Sequence, residues 1–194
     1  MAVVAQTPGF VDSVHDAQRT FRAVLEALSQ PGCVKTVDVA LQPPEGLSVA
    51  SAAVCLTLLD LEIQVWLQDG FPRSSRDWLL FHTGCRLTEA PEEADFALIW
   101  DKDATPDLSV FNRGTPEYPE ASTTVLMQLG SLTQGSKVVL QGPGILEEIT
   151  VSPQVSSVFW QQWQSNQARY PLGVDVLCLS DQQILGLPRS SRVV

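Results

Sequence analysis

The sequence predicts a single α/β domain in which a mixed β-sheet is sandwiched by helices. Three observations carry that expectation. Segments with helical spacing of apolar residues interleave with short β-rich runs along the whole chain. These runs follow no strict βαβ rhythm, which favours a mixed sheet over a purely parallel one. The 194 residues suffice for one well-packed core and are few for two, and neither an internal repeat nor a linker divides them. The domain is expected to span 1–194, with 1–12 a loosely ordered N-terminal segment.

The first helix is expected from Ser13 to Ser29. Ser13 and Asp16 fit a capping box, Ala17, Phe21, Val24, Leu25 and Leu28 recur on one face, and Pro31-Gly32 stop it. Val34 to Ala40 alternates apolar and polar residues and predicts a short strand. Ser48 to Asp60 reads as a buried helix, Ile63 to Leu67 as a strand, and Arg76 to His82 as a short helix with Gly84 as its left-handed cap. Phe96 to Trp100 suits a strand buried on both faces. The polar stretch from Asp101 to Ala121 is long for a structureless loop, so it is either functional or hides a short element.

Thr123 to Leu129 and Lys137 to Gln141 are β-rich, and Gly130 through Gly135 between them suits a hairpin turn. Pro153 to Arg169 predicts a helix with Val155, Val158, Phe159 and Trp163 on its apolar side. Gly173 to Leu179 reads as a final central strand and Ile184 to Leu187 as a short one. Either Trp160 or Trp163, if solvent-facing, would mark an interface.

Composition narrows the function classes. Apolar residues make up 44% and charged residues 18%, an ordinary globular balance. With 12 basic against 22 acidic residues the net charge is −10, which disfavours nucleic acid and anionic membranes as partners. A local arginine pocket can still hold a small anion against that field, and a basic protein partner remains compatible with it. No apolar run approaches the ~20 residues of a membrane-spanning helix. The N-terminus lacks a signal-peptide pattern, so a cytoplasmic location is expected. Cys33, Cys55, Cys85 and Cys178 are far apart and read as small apolar residues in a reducing compartment.

Standard catalytic signatures fail at named positions. Gly130 to Lys137 superficially suggests a phosphate-binding loop, but Ser136 separates the second Gly from Lys137 and a strand pattern follows. Gly142-Pro143-Gly144 has Glu147 where a dinucleotide fingerprint needs Gly. Only two histidines are present, His15 and His82, and no metal-ligand spacing appears among histidines and cysteines. No nucleophile elbow is found, and none of Lys35, Lys102 and Lys137 has the context of a Schiff-base lysine. The expectation is therefore no cofactor and no metal.

Three polar clusters beside turns remain. His82 and Thr83 end a predicted helix, where His82 either caps a carbonyl or serves a ligand. Arg113, Gly114 and Thr115 lie in the long loop; Arg113 can offer a fixed guanidinium to an anion or stand as a solvated loop residue. Arg189 and Ser190 follow the last predicted strand, as part of a surface tail or of a site. Convergence of the three would suit a phosphate or carboxylate partner.

The same segments resemble the PhnH family. Val14-His15-Asp16-Ala17-Gln18-Arg19 with Phe21-Arg22 looks like its N-terminal helix, followed by Ser29-Gln30-Pro31-Gly32. The pattern continues through Leu56-Thr57-Leu58, Val65-Trp66-Leu67, Phe81-His82-Thr83, Gly114-Thr115 and Pro119-Glu120-Ala121. It ends with Gly142-Pro143-Gly144-Ile145, Pro171-Leu172-Gly173-Val174-Asp175 and Pro188-Arg189-Ser190-Ser191. In order and spacing these cover nearly the whole chain. Near the end Ser190, Ser191 and Arg192 stand where the family often has Thr and then His, so no role of that His carries over.

The resemblance implies a fold distantly like pyridoxal-phosphate transferases without the cofactor site. It further implies an accessory subunit of the carbon–phosphorus lyase core complex, with PhnG, PhnI and PhnJ as partners and a homodimer when isolated. Such a subunit would be inactive alone. It would act at the step forming α-D-ribose 1-methylphosphonate 5-triphosphate from ATP and methylphosphonate, while bond cleavage belongs to PhnJ. The alternative is a direct contributor that binds phosphonate or triphosphate through His82, Arg113 and Arg189.

Overall fold

In the computed structural model, which describes residues 7–101, 103 and 105–194, four helices and ten strands fold into one mixed α/β unit. The main sheet has seven strands, β1 (Lys35–Thr36), β2 (Gln64–Leu67), β3 (Arg86–Thr88), β4 (Phe96–Ile99), β5 (Thr124–Gln128), β8 (Asp175–Ser180) and β9 (Gln183–Leu187). Their order is β1-β9-β8-β5-β4-β2-β3. Pairings from β3 through β8 are parallel, and β9 and β1 add antiparallel strands on one side. A second, antiparallel sheet joins β10 (Arg192–Val193), β6 (Val138–Gln141) and β7 (Ile149–Val151).

Strand alternation assigns each face its layer. Leu98, Leu126, Leu177, Leu179 and Ile184 point to one face, where α1 (Ser13–Ser29), α2 (Val49–Leu58) and α3 (Arg73–Thr83) cover them. Ala97, Ile99, Val125, Met127, Val176, Cys178, Leu185 and Leu187 point to the other. There α4 (Ser157–Gln167) and the small sheet close the core with Phe159, Trp160, Trp163, Leu140 and Val151. The second layer is thus helix plus sheet, where the sequence predicts helices alone. Trp160 and Trp163 are both buried and mark no interface.

The helices follow the sequence reading with revisions at caps and faces. Asp12, not Ser13, caps α1: its carboxylate accepts from the His15 amide at 3.1 Å, and its own amide donates to Asp16 at 3.1 Å. The buried face of α1 is Asp16, Thr20, Ala23, Val24 and Ala27, whereas Phe21 and Leu25 are 47% and 51% exposed. Small residues win that face because α1 lies close on β9. A Cβ on Gly186 would stand 2.3 Å from the Ala27 carbonyl oxygen. α2 begins on Ser48, whose hydroxyl accepts from the Ser51 amide, and α3 ends on Gly84 in the left-handed region.

The predicted hairpin between β5 and β6 does not form. β5 lies between β4 and β8 in the main sheet, while β6 pairs with β7 and β10, so 129–137 crosses between sheets. Two β-rich runs joined by glycines satisfy the hairpin pattern, but β5 is apolar on both faces and needs a partner on each edge. Strands β3, β7 and β10 are two or three residues long and carry no periodic signal. The long 101–121 stretch contains 3₁₀ turns at Leu108–Val110 and Pro119–Ala121. All four cysteines are free; Cys55, Cys85 and Cys178 are buried, and burial pushes the Cys178 thiol up to about 12.

The tight α1–β9 contact gives a direct check. Gly186→Ala forces the new methyl against backbone and should destabilise the chain by about 2–3 kcal/mol in urea unfolding. An Ala variant as stable as the parent would show that α1 is free to shift.

Candidate functional site

The segments that carry arginines meet at the amino-terminal edge of the parallel strands. The loop after Phe111 leads into β5, Val174 leads into β8, and Arg189 follows β9, which runs antiparallel to β8 and so emerges at the same edge. Arg189 clasps all three. Its Nε donates to Asp175 Oδ1 at 3.1 Å and its Nη2 to Oδ2 at 2.6 Å, a bidentate pair reinforced by the Arg189 amide on Oδ1 at 2.7 Å. Nη1 donates to the Pro119 carbonyl at 2.8 Å, and Nη2 also donates to the Ser122 hydroxyl. With its side chain 12% exposed, Arg189 directs its donors into the protein.

Arg113, Gly114 and Thr115 belong to the same edge. Gly114 has φ +75°, and a Cβ there would meet the Pro119 oxygen at 2.6 Å, so the turn closes on the segment that Arg189 holds. Asn112 braces it by accepting from the Gly114 amide at 2.9 Å and donating to the Ala121 carbonyl at 2.8 Å. Thr115 and Tyr118 exchange backbone hydrogen bonds of 3.1 Å each way. The Arg113 carbonyl accepts from the Gly173 amide at 3.0 Å, while its guanidinium donates to the Ser109 carbonyl at 2.8 Å.

Beyond Arg189 the chain is integrated rather than a surface tail. Partly buried Ser190 lies beside Gly142, the buried Ser191 carbonyl accepts from the Trp163 indole at 3.1 Å, and β10 pairs with β6. The tail pattern misled because β10 is only two residues long.

His82 and Thr83 sit elsewhere. They end α3, which feeds β3 at the far edge of the sheet, with β5, β4 and β2 between that strand and β8. Four strand spacings amount to roughly 19 Å. His82 Nε2 lies 3.0 Å from the Thr7 carbonyl, which the Trp78 indole also donates to at 2.8 Å. The His82 ring packs on Trp78 with centroids 4.7 Å apart. Thr83 donates to the Leu79 carbonyl at 2.8 Å and accepts from the Cys85 amide at 3.2 Å. The structure therefore groups Arg113, Gly114, Thr115, Arg189 and Ser190, and leaves His82 and Thr83 apart, His82 holding the Thr7 carbonyl with Trp78 and Thr83 closing the end of α3.

A cavity of about 350 Å³ opens beside this edge, between the 107–113 segment and α4. Arg113, Arg169, Gln161, Gln162 and Ser165 line it together with Asp107. Asp107 accepts from the Ser109 amide at 2.7 Å. That bond, the Ser109 hydroxyl and the Arg113 charge hold its carboxyl below the usual carboxylate range. Sequence reasoning finds Arg113 and misses Arg169, which reads there only as the end of a helix. A second cavity of about 500 Å³ lies at the carboxyl ends of β2 and β3, lined by Trp66, Gln68, Asp69, Phe71, Arg76 and Glu89. No signature pointed to it, because its walls come from three separate elements.

The two arginines should separate in a stability measurement. Arg189→Ala strands the partly buried Asp175 carboxylate and should cost about 2–4 kcal/mol in urea unfolding. Arg113→Ala, at a half-exposed site, should cost less than about 1 kcal/mol. Equal losses would contradict the different roles assigned to them.

Comparison with known proteins fits this architecture to a family. Residues 8–194 match the family model of the bacterial phosphonate metabolism protein PhnH. The chain is 36% identical over 186 residues to the α-D-ribose 1-methylphosphonate 5-triphosphate synthase subunit PhnH of Rhizobium meliloti (strain 1021), covering 95% of this chain and 93% of that protein. It is 32% identical over 182 residues to HtxG of Stutzerimonas stutzeri, assigned as a C-P lyase subunit protein, covering 91% and 85% respectively. The chain belongs to the PhnH family.

Proposed function

We propose that this chain is an accessory subunit of the carbon–phosphorus lyase core complex, acting in phosphonate catabolism at the step that forms α-D-ribose 1-methylphosphonate 5-triphosphate from ATP and methylphosphonate. On this reading it is inactive alone, works in the cytoplasm without a cofactor, forms a homodimer when isolated and assembles with PhnG, PhnI and PhnJ. The observation that carries it is the near end-to-end match to a relative named as a subunit of that synthase. The fold is read as a distant relative of pyridoxal-phosphate transferases lacking their cofactor site. Of the three lysines, Lys35 is engaged by Gln30 and Glu26, Lys137 is exposed, and Lys102 lies outside the described residues.

An exposed apolar stripe on α1 supports the assembly role. Val14, Phe21 and Leu25 leave the same side of the helix uncovered, Val14 at 72% exposure, although the opposite face is packed. A helix that presents large apolar side chains outward in a chain of net charge −10 suits a protein partner better than solvent. Replacing Phe21 and Leu25 by Asp should leave the fold intact and reduce co-purification with PhnG, PhnI and PhnJ by at least about tenfold, a loss of roughly 1.4 kcal/mol or more in association. Undiminished recovery of the four-component complex would remove α1 from the interface, and failure of the parent chain to co-purify would sink the subunit reading.

A second reading is favoured by Arg113, whose side chain lines a cavity while its carbonyl is held by the Gly173 amide. In it the chain contacts phosphonate or triphosphate directly, with His82, Thr83, Arg113, Gly114, Thr115, Arg189 and Ser190 as the candidate residues. Within that set Arg113 is the residue whose substitution should change activity of the assembled complex without unfolding the subunit. An Arg113→Ala complex with parental turnover at every substrate concentration would leave this reading without support.

A further inference from the structure

We propose that the cavity between the 107–113 segment and α4 is an anion site that takes a phosphate or phosphonate group between the guanidinium groups of Arg113 and Arg169. The inference deepens the ligand-contact reading above by naming the second cation, the flanking donors and the class of ligand.

The two arginines are prepared differently. Arg113 is fixed: one Nη2–H is committed to the Ser109 carbonyl, and its backbone is tied to Gly173. That bond holds the planar fork in one place while its other N–H groups remain available. Arg169 follows α4 and lines the same cavity, yet its side chain makes no hydrogen bond or ion pair among the described residues. An arginine placed only to complement the end of α4 would reach the last helical carbonyls. Those near Arg169 bond to the Ala168, Arg169 and Tyr170 amides instead.

The remaining lining suits an oxyanion. Gln162 uses its oxygen, accepting from the Leu108 amide at 3.4 Å, which leaves its NH₂ group as a donor. The Gln161 side-chain amide has no partner among the described residues. Ser165 donates to the Gln161 carbonyl at 3.1 Å. Against two guanidinium groups stands a single lining carboxylate, Asp107, already accepting from Ser109. The surplus is one positive charge in a chain of net charge −10. The negative end of α4 opposes an anion, but its field fades within the last turn and acts against two full charges.

These features select the chemistry. Two guanidinium groups lining one space match a tetrahedral group with several charged oxygens, whereas a carboxylate can satisfy only one fork well. A volume of about 350 Å³ is at the small end for ligand sites and suits a phosphonate or the phosphate end of a larger molecule. The larger cavity at the carboxyl ends of β2 and β3 has no such surplus: Arg76 shares it with Asp69 and Glu89. It supplies the control.

Calorimetric titration of the full chain with methylphosphonate, with inorganic tripolyphosphate and with adenosine tests the site. Saturable binding of methylphosphonate or tripolyphosphate in the millimolar range or tighter is expected, with none for adenosine. Tripolyphosphate alone would identify the polyphosphate end of a nucleotide as the source, and methylphosphonate alone the phosphonate. Arg113→Gln and Arg169→Gln should each weaken binding by about tenfold or more, while Arg76→Gln should bind like the parent. No saturable binding, or an Arg169→Gln chain with parental affinity and parental circular dichroism, overturns the proposal. Co-purification of Arg169→Gln with PhnG, PhnI and PhnJ is scored separately, so loss of the site and loss of the subunit role give different results.

Discussion

Strands β5 and β8 are apolar on both faces, and that constraint dictates what must be laid over them. Val125, Met127, Val176 and Cys178 face one side; Leu126, Leu177 and Leu179 face the other, all essentially buried. A strand of this kind has no face to offer solvent, so it requires a neighbour on each edge and a layer above and below. The chain provides α1, α2 and α3 for one face. For the other it provides α4 and a small antiparallel sheet, with Trp163 and Phe159 stacked at 6.2 Å to fill the gap. The close seat of α1 on β9 follows from the same demand, since only small residues at Ala23 and Ala27 and a glycine at Gly186 allow the helix so near.

With the layers in place, their ends must be joined, and the polar work falls to the amino-terminal edge. Arg189 and Asp175 tie the end of β9 to the start of β8 and to the loop entering β5. The Arg113 turn is built on the segment that this clasp holds. Asn166 adds a second brace, with its side chain donating to the Val174 carbonyl and accepting from the Val174 amide, both at 2.9 Å. The wall of the arginine-lined cavity that α4 supplies is thereby fixed relative to β8.

Much of this was legible in the sequence, for physical reasons that differ by element. The main helices were readable because caps and periodicity are local: Ser13–Ser29 is recovered with its full range, and Gly84 ends α3 as expected. Which face of α1 would be buried was not, because hydrophobicity favours Phe21 and Leu25 whereas the available space favours Ala23 and Ala27. The false hairpin at Gly130–Gly135 arose because pattern and turn chemistry say nothing of which sheet a strand joins. For the site, Arg113 was visible as an arginine beside glycine in a long loop. Arg189 was visible too, but its ion pair with Asp175 joins residues 14 apart in sequence and shows only in three dimensions. His82 looked like a partner of the arginines because sequence carries no distance across a sheet.

The chain is a member of the PhnH family, and the outward apolar stripe on α1 is the surface proposed for its partners. The most direct measurement is reconstitution of ribose methylphosphonate triphosphate formation from ATP and methylphosphonate, followed by ³¹P NMR. PhnG, PhnI and PhnJ would be assayed with this chain and without it, and this chain alone. The account predicts product only when the chain is added to its partners. Product from the chain alone, or undiminished product in its absence, would contradict it.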